Sequence, residues 1–451
     1  MAWGARGAGS GVDDWVKRLE AQDQSLISVH VFQFRRFGHE EVSAFCKALQ
    51  NNTVLKELYA SGHKMLPETA RIVADMLTKN SALEALCVGD SEFGDEGVAE
   101  LSIGLSKNNA LTSLDLEAKS IGPQGAASLQ NALQANTSLK TLQLARNAVG
   151  NEGLASLCKG LKPSSITSLD LSETGITGGG AAALGELLGS VPPAHIFRLI
   201  LSNNSLGPEG GQAIAQGIAK NSMLEELNLH GCELGDVGAA ALLQAVQQGC
   251  ESDSCRLRLL VVSSCSIGPE GASLMANALS ACTSLARLDL RENGVEETGV
   301  VELAKAIGTL AARNPGGGLL DLDLGGNAVG LQGVEALADS SSSLARLSLF
   351  NSGLGDAGAA ALAKQFTLGG LPSLTELNLC GCEVGEAGMQ AVLQALQDGH
   401  APHLKVLEVG ANPAVQADGW ESLLSNVNGA RPDLDIAWNI NAPEDPNHQT
   451  S

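Results

Sequence analysis

The chain has 451 residues, room for two or three ordinary domains or for one long array. Lys and Arg number 28 against 50 Asp and Glu, a net charge of −22. This argues against nucleic acid as a partner, since phosphate binding is driven by basic side chains, and against an anionic membrane surface. Aromatic residues make up 3% while Gly numbers 53, which points to many small apolar layers rather than one bulky core.

The opening stretch, MAWGARGAGSGVDDW, carries no apolar leader, and no run of 18 apolar residues follows anywhere. The expectation is a soluble chain, cytoplasmic or also nuclear, with its ten cysteines reduced. Residues 13–24, DDWVKRLEAQDQ, predict a short capping helix within an N-terminal segment, 1–24. From Leu26 a triplet of apolar residues with gaps of three and two recurs: Leu55/Leu58/Ala60, Leu83/Leu86/Val88, Leu139/Leu142/Leu144, Leu285/Leu288/Leu290 and on to Leu404/Leu407/Val409. The first copies after Leu55 are 28 residues apart and later ones 25 to 34 apart, giving about 14 repeats. A self-similar period of this length is the mark of a solenoid.

The 3,2 spacing has a physical reading. Alternation along a short strand points Leu142 and Leu144 the same way, and Leu139 joins them from the turn that precedes the strand. Three residues after the third leucine stands Asn147, matched by Asn204, Asn293, Asn327 and Asn412 and by Cys232, Cys265 and Cys382. A side chain there meets backbone groups that have lost their sheet partners, which an amide satisfies and a thiol can partly replace. A glycine turn such as GPQG (122–125) or GDVG (235–238) and an Ala/Leu-rich amphipathic segment complete each unit. Near the end, DLDIAW (433–438) predicts a last strand, Trp420 and Trp438 a cap over the final layer, and 441–451 a polar tail.

Strand, turn, helix and return loop, repeated in this way, resemble the leucine-rich repeat family in its long, helix-backed, ribonuclease-inhibitor-like class. The resemblance covers about residues 25–440 and implies an α/β horseshoe with a curved parallel β-sheet on the concave face and α-helices on the convex face. It implies a protein-binding scaffold and no enzyme activity or cofactor. No phosphate loop, HExxH or GxSxG occurs, and no histidine pair has metal-ligand spacing. CESDSC (250–255) could bring two thiols together, as a metal site or a regulatory disulfide, against which stands the reading of ordinary surface-loop thiols. A ribonuclease-inhibiting role is not expected, because that family is Cys-rich.

The residues between the leucines face the concave groove. Most of the groove is acidic, but Arg258, Arg287, Arg291 and Arg346 cluster in the second half, with Phe350 nearby and Asp289, Asp321 and Asp323 interleaved. The two longest repeats place QQGCESDSC (247–255) and AARNPGGG (311–318) before strands flanking this cluster, where loops would border a binding site. The expected partner is a protein bearing an acidic segment, docked on a monomer. Against this stands a self-paired ladder, in which Arg287, Asp289 and Arg291 neutralise Asp321 and Asp323 on the neighbouring strand. An alternative function rests on LSNNSLGPEGG (201–211), which looks like the strand end of Ran-type GTPase-activating proteins. That resemblance makes Asn203 the GTPase-contacting residue and Asn204 the structural one. The same Gly-Pro turn occurs in SIGPQG (120–125) and SIGPEG (266–271).

Overall fold

The computed structural model describes residues 11–314 and 317–439. The polar tail therefore lies outside the described residues, as does part of the stretch 311–318. The chain divides into two compact units, Met1–Ser205 and Leu206–Ser451.

The first unit opens with helix Val12–Glu20. Its strands are β1 (Ser28–His30), β2 (Glu57–Ser61), β3 (Ala85–Gly89), β4 (Ser113–Asp115), β5 (Thr141–Gln143), β6 (Ser168–Asp170) and β7 (Arg198–Ile200). The second holds β8 (Glu226–Asn228), β9 (Leu259–Val261), β10 (Arg287–Asp289), β11 (Asp321–Asp323), β12 (Arg346–Ser348), β13 (Glu376–Asn378), β14 (Val406–Glu408) and β15 (Asp435–Ala437). Within each unit the strands lie side by side in chain order, all parallel, with a helix between each strand and the next. Register is constant: Leu114 faces Leu142, which faces Leu169, and Leu288 faces Leu322, which faces Leu347. The triplet leucines are buried throughout, including Leu139, Leu142 and Leu144 and the weaker first copy, Leu26, Val29 and Val31.

The asparagine position does what its chemistry requires. Asn147 Nδ2 donates to the carbonyls of Leu116 and Leu144, and its Oδ1 accepts from the amides of Lys119 and Ile121, so one side chain joins two repeats. Asn204 and Asn412 make the same kind of bonds. Where cysteine stands instead, the thiol donates to the same carbonyl: Cys265 Sγ to Leu229 O at 3.0 Å and Cys382 Sγ to Leu349 O at 2.8 Å.

A second asparagine column escaped the sequence reading. Asn80 Nδ2 donates to Leu49 O and Asn52 O of the preceding repeat, while its Oδ1 accepts from Ala82 and Leu83 amides. Asn108 and Asn136 repeat this three residues before each first leucine. The constant 28-residue period from Leu55 to Leu139 is the signal that could have revealed the column.

Acidic residues in the turns link neighbours on the helix side. Asp236 Oδ1 accepts from the Gly268 amide at the next helix start, and a Cβ on Gly271 would stand 2.3 Å from that oxygen, so only glycine fits there. At the chain's end the Trp420 and Trp438 rings meet edge to face at 6.1 Å, with Trp420 buried.

The two longest repeats differ from expectation. Their extra residues mostly lengthen the preceding helices, Gly235–Glu251 and Glu296–Arg313, to 17 and 18 residues rather than forming loops. Their apolar residues continue at helical spacing, so an added helical turn satisfies the backbone where an open loop would not.

Candidate functional site

Asn203 and Asn204 lie in the first unit at the end of β7. Asn204 is buried in the asparagine ladder, as expected for the structural residue, whereas Asn203 is exposed with φ of 56°. The same left-handed conformation recurs at Arg146, Glu173, Glu292 and Ala411, one residue before the ladder position in other repeats. It is a feature of the repeat turn and takes side chains of any charge.

The remaining candidate residues all lie on the strand face of the second unit. Parallel register sets them in rows across β10 to β13. In the first row Arg287, Asp321, Arg346 and Glu376 alternate in sign. Arg287 Nε stands 2.8 Å and Arg346 Nε 3.0 Å from Asp321 Oδ2, and Arg346 Nη1 lies 3.8 Å from Glu376. In the second row Asp289 and Asp323 are direct neighbours, a like-charge pairing that is costly unless compensated. Arg291 compensates it, with Nη2 2.9 Å from Asp289 and Nε 3.4 Å from Asp323. Burial, joined by the Asp289 charge, still pushes the Asp323 carboxyl up to about 7, against the opposing pull of the Gly325 amide and Arg291. Arg287, Arg291 and Arg346 are thus each held by carboxylates. Arg258 is exposed and forms no ion pair among the described residues.

Two residues past the ends of β10, β11 and β12, Arg291, Gly325 and Phe350 form a third row. Gly325 leaves a gap between the guanidinium and the ring, and a Cβ there would already stand 3.1 Å from Phe350 O. A hollow of about 450 Å³ opens at this point. Half-buried Phe350 and Val406 give it apolar surface. Its rim carries Glu292, Asp321, Asp323, Glu376 and Glu408 against Arg291, Arg346 and His230. Glu408 is raised above the usual carboxylate range by burial and by the Glu376 charge, and Asn378 Nδ2 donates to it at 2.5 Å. His230 Nδ1 lies 3.0 Å from Ser263 Oγ. His230, Gly325, Asn378 and Glu408 were missed as site residues. The Gly-Gly-Asn run at 325–327 is the signal, since no other ladder asparagine follows two glycines.

Among the described residues no cluster of three or more His, Cys, Asp or Glu is placed to hold a metal, and no helix is long and apolar enough to cross a membrane.

The leucine-rich repeat profile matches nine segments between residues 135 and 393, from 135–158 to 370–393. Leucine-rich repeat-containing protein 45 of Gallus gallus is 34% identical over 139 residues, 31% of this chain and 20% of that protein. The ribonuclease inhibitor of Sus scrofa is 27% identical over 259 residues, 56% of this chain and 55% of that protein. The chain thus spans about half or less of the length of these relatives. Among solved structures, an internalin of Listeria monocytogenes superposes with a TM-score of 0.44 at 15% identity, over 75% of this chain and 87% of that one. The chain belongs to the leucine-rich repeat proteins, and its long, helix-backed repeats are of the ribonuclease-inhibitor-like class.

Proposed function

We propose that the chain is a non-catalytic, monomeric protein-interaction scaffold, cytoplasmic or also nuclear. Its partner docks on the strand face of the second unit, around Arg258, Arg287, Asp289, Arg291, Asp321, Asp323, Arg346 and Phe350. The observation that carries this reading is the hollow that Gly325 opens beside Phe350. An aromatic surface within a face of pre-paired charges is the composition of an interface hot spot, and side chains already held in ion pairs lose little freedom on binding. The ribonuclease inhibitor of Sus scrofa is named for acting on another protein, which agrees with a binding role.

The ion pairs change the charge expected of the partner. An acidic segment has Arg258 to meet. The hollow itself is carboxylate-rich, so the side chain that enters it is basic or aromatic. The GTPase-activator alternative rests on exposed Asn203, and the recurrence of its backbone conformation in other repeats gives it no added support.

The test is affinity purification from the native cell, identification of the partner by mass spectrometry, and titration of that partner against wild type and Phe350→Ala. Affinity should fall about tenfold or more, with thermal stability little changed. Equal affinity would remove Phe350 from the interface. A Ran-type GTPase assay with the same protein should give a flat time course, and acceleration lost in Asn203→Ala would instead establish the alternative.

A further inference from the structure

Eight of the ten cysteines are buried; Cys250 and Cys255 alone are half-exposed. They stand together in the second unit, outside the hollow. Cys250 lies in the last turn of helix Gly235–Glu251, and Cys255 is where the chain turns back toward β9. The turn is held by the Ser254 and Cys255 amides, which both donate to Gly249 O, at 2.8 and 3.1 Å. Gly249 has no side chain, and a Cβ there would stand 2.6 Å from Cys255 Cβ, so the glycine is what lets Cys255 lie against the helix end. Ser284 Oγ, from the next repeat, lies 3.3 Å from Cys250 Sγ and 3.7 Å from Cys255 Sγ.

Ser284 Oγ thus bridges the two thiols, which stand on the same side of the helix end. The adjoining Cys255 thiol and Ser284 favour the Cys250 thiolate, so Cys250 is held well below the usual thiol range, while the Cys250 neighbour and burial push Cys255 above it. The two roles of a redox dithiol, an attacking thiolate and a neighbouring thiol that resolves it, are thus already divided between the two residues. Buried Cys282, which donates to Leu243 O and Ala278 O, is the nearby thiol left out of this pair.

The geometry points to Cys250 and Cys255 as an oxidisable dithiol that closes to an intrachain disulfide under peroxide. The Cys250 thiolate attacks hydrogen peroxide. The O–O bond breaks, sulfur is oxidised to the sulfenic acid, and the departing hydroxide leaves as water after taking a proton. The Cys255 sulfur then attacks the sulfenic sulfur. The S–S bond forms, the S–O bond breaks, and the second hydroxide takes the Cys255 proton. Two thiols and one peroxide give one disulfide and two waters. The product fastens the helix end to the chain entering β9.

The test treats the full chain with a slight excess of hydrogen peroxide near pH 7, then blocks free thiols and maps peptides by mass spectrometry. A Cys250–Cys255 link is expected, with the other eight thiols blocked. Before peroxide, Cys250 should alkylate about tenfold faster than Cys255. In Cys255→Ser a sulfenic acid should be trapped on Cys250 by dimedone, and in Cys250→Ser no adduct should form at Cys255. Peroxide that leaves both thiols free, or a link from Cys250 to Cys282, overturns the inference. The wild-type peptide map decides this whether or not a variant folds.

Discussion

Asp323 shows how a repeat array concentrates cost at one residue. Parallel register sets it beside Asp289, and one guanidinium serves both carboxylates. Its folded value of about 7 lies above the ordinary 3.8, so the folded chain holds this proton more tightly than the unfolded chain between those values. The stabilisation linked to it is complete below about pH 4 and is lost as pH rises through about 7. Asp323→Asn keeps an oxygen for the Gly325 amide, 2.9 Å away, and removes the charge. At pH 8 the variant should be more stable than wild type by about 1–3 kcal/mol, a shift discounted because part of the side chain reaches water. At pH 4 the gap should nearly vanish. Urea unfolding at both values reads this directly, and an equal gap at both pH values would mean that Asp323 is not held protonated.

The elements owe their order to side chains that reach into the neighbouring repeat. Asn147→Ala leaves the Leu116 carbonyl and the Lys119 and Ile121 amides without their partner, at roughly 1–3 kcal/mol for each buried group left unpaired. Cys382→Ala removes one weak thiol bond and should cost about 1 kcal/mol. Leu142→Ala should cost about 2–5 kcal/mol and lower hydrogen-exchange protection in β4 and β6 as well as β5, since each strand pairs with both neighbours. Loss confined to β5 would mean that the repeats are independent. The strands, the leucine triplet and the first asparagine column were readable in advance because each rests on a local period. The second column at Asn80, Asn108 and Asn136 was not, because asparagine near a helix end reads as an ordinary stop signal until its partners in the previous repeat are known. The lengthened helices were misread for a related reason: a longer repeat says how many residues are added but not whether they continue a helix.

At the scale of the molecule, the ladder that pairs Arg287 and Arg291 with Asp321 and Asp323 was visible in the sequence, but the bond from Arg346 to the same Asp321 was not. Which carboxylate each arginine meets depends on strand register, and a shift of one residue would have freed them. The hollow was hidden for a similar reason, since a glycine opens space only when its neighbours across the sheet are known. The central claim is that a protein partner occupies this face of the second unit. Hydroxyl-radical footprinting of the purified complex against the free protein tests it most directly. Oxidation of Phe350 and His230 should fall severalfold on binding, while Phe32 and Phe34, exposed and stacked in the first unit, should react as before. Protection of Phe32 and Phe34 with Phe350 and His230 unchanged would contradict the account.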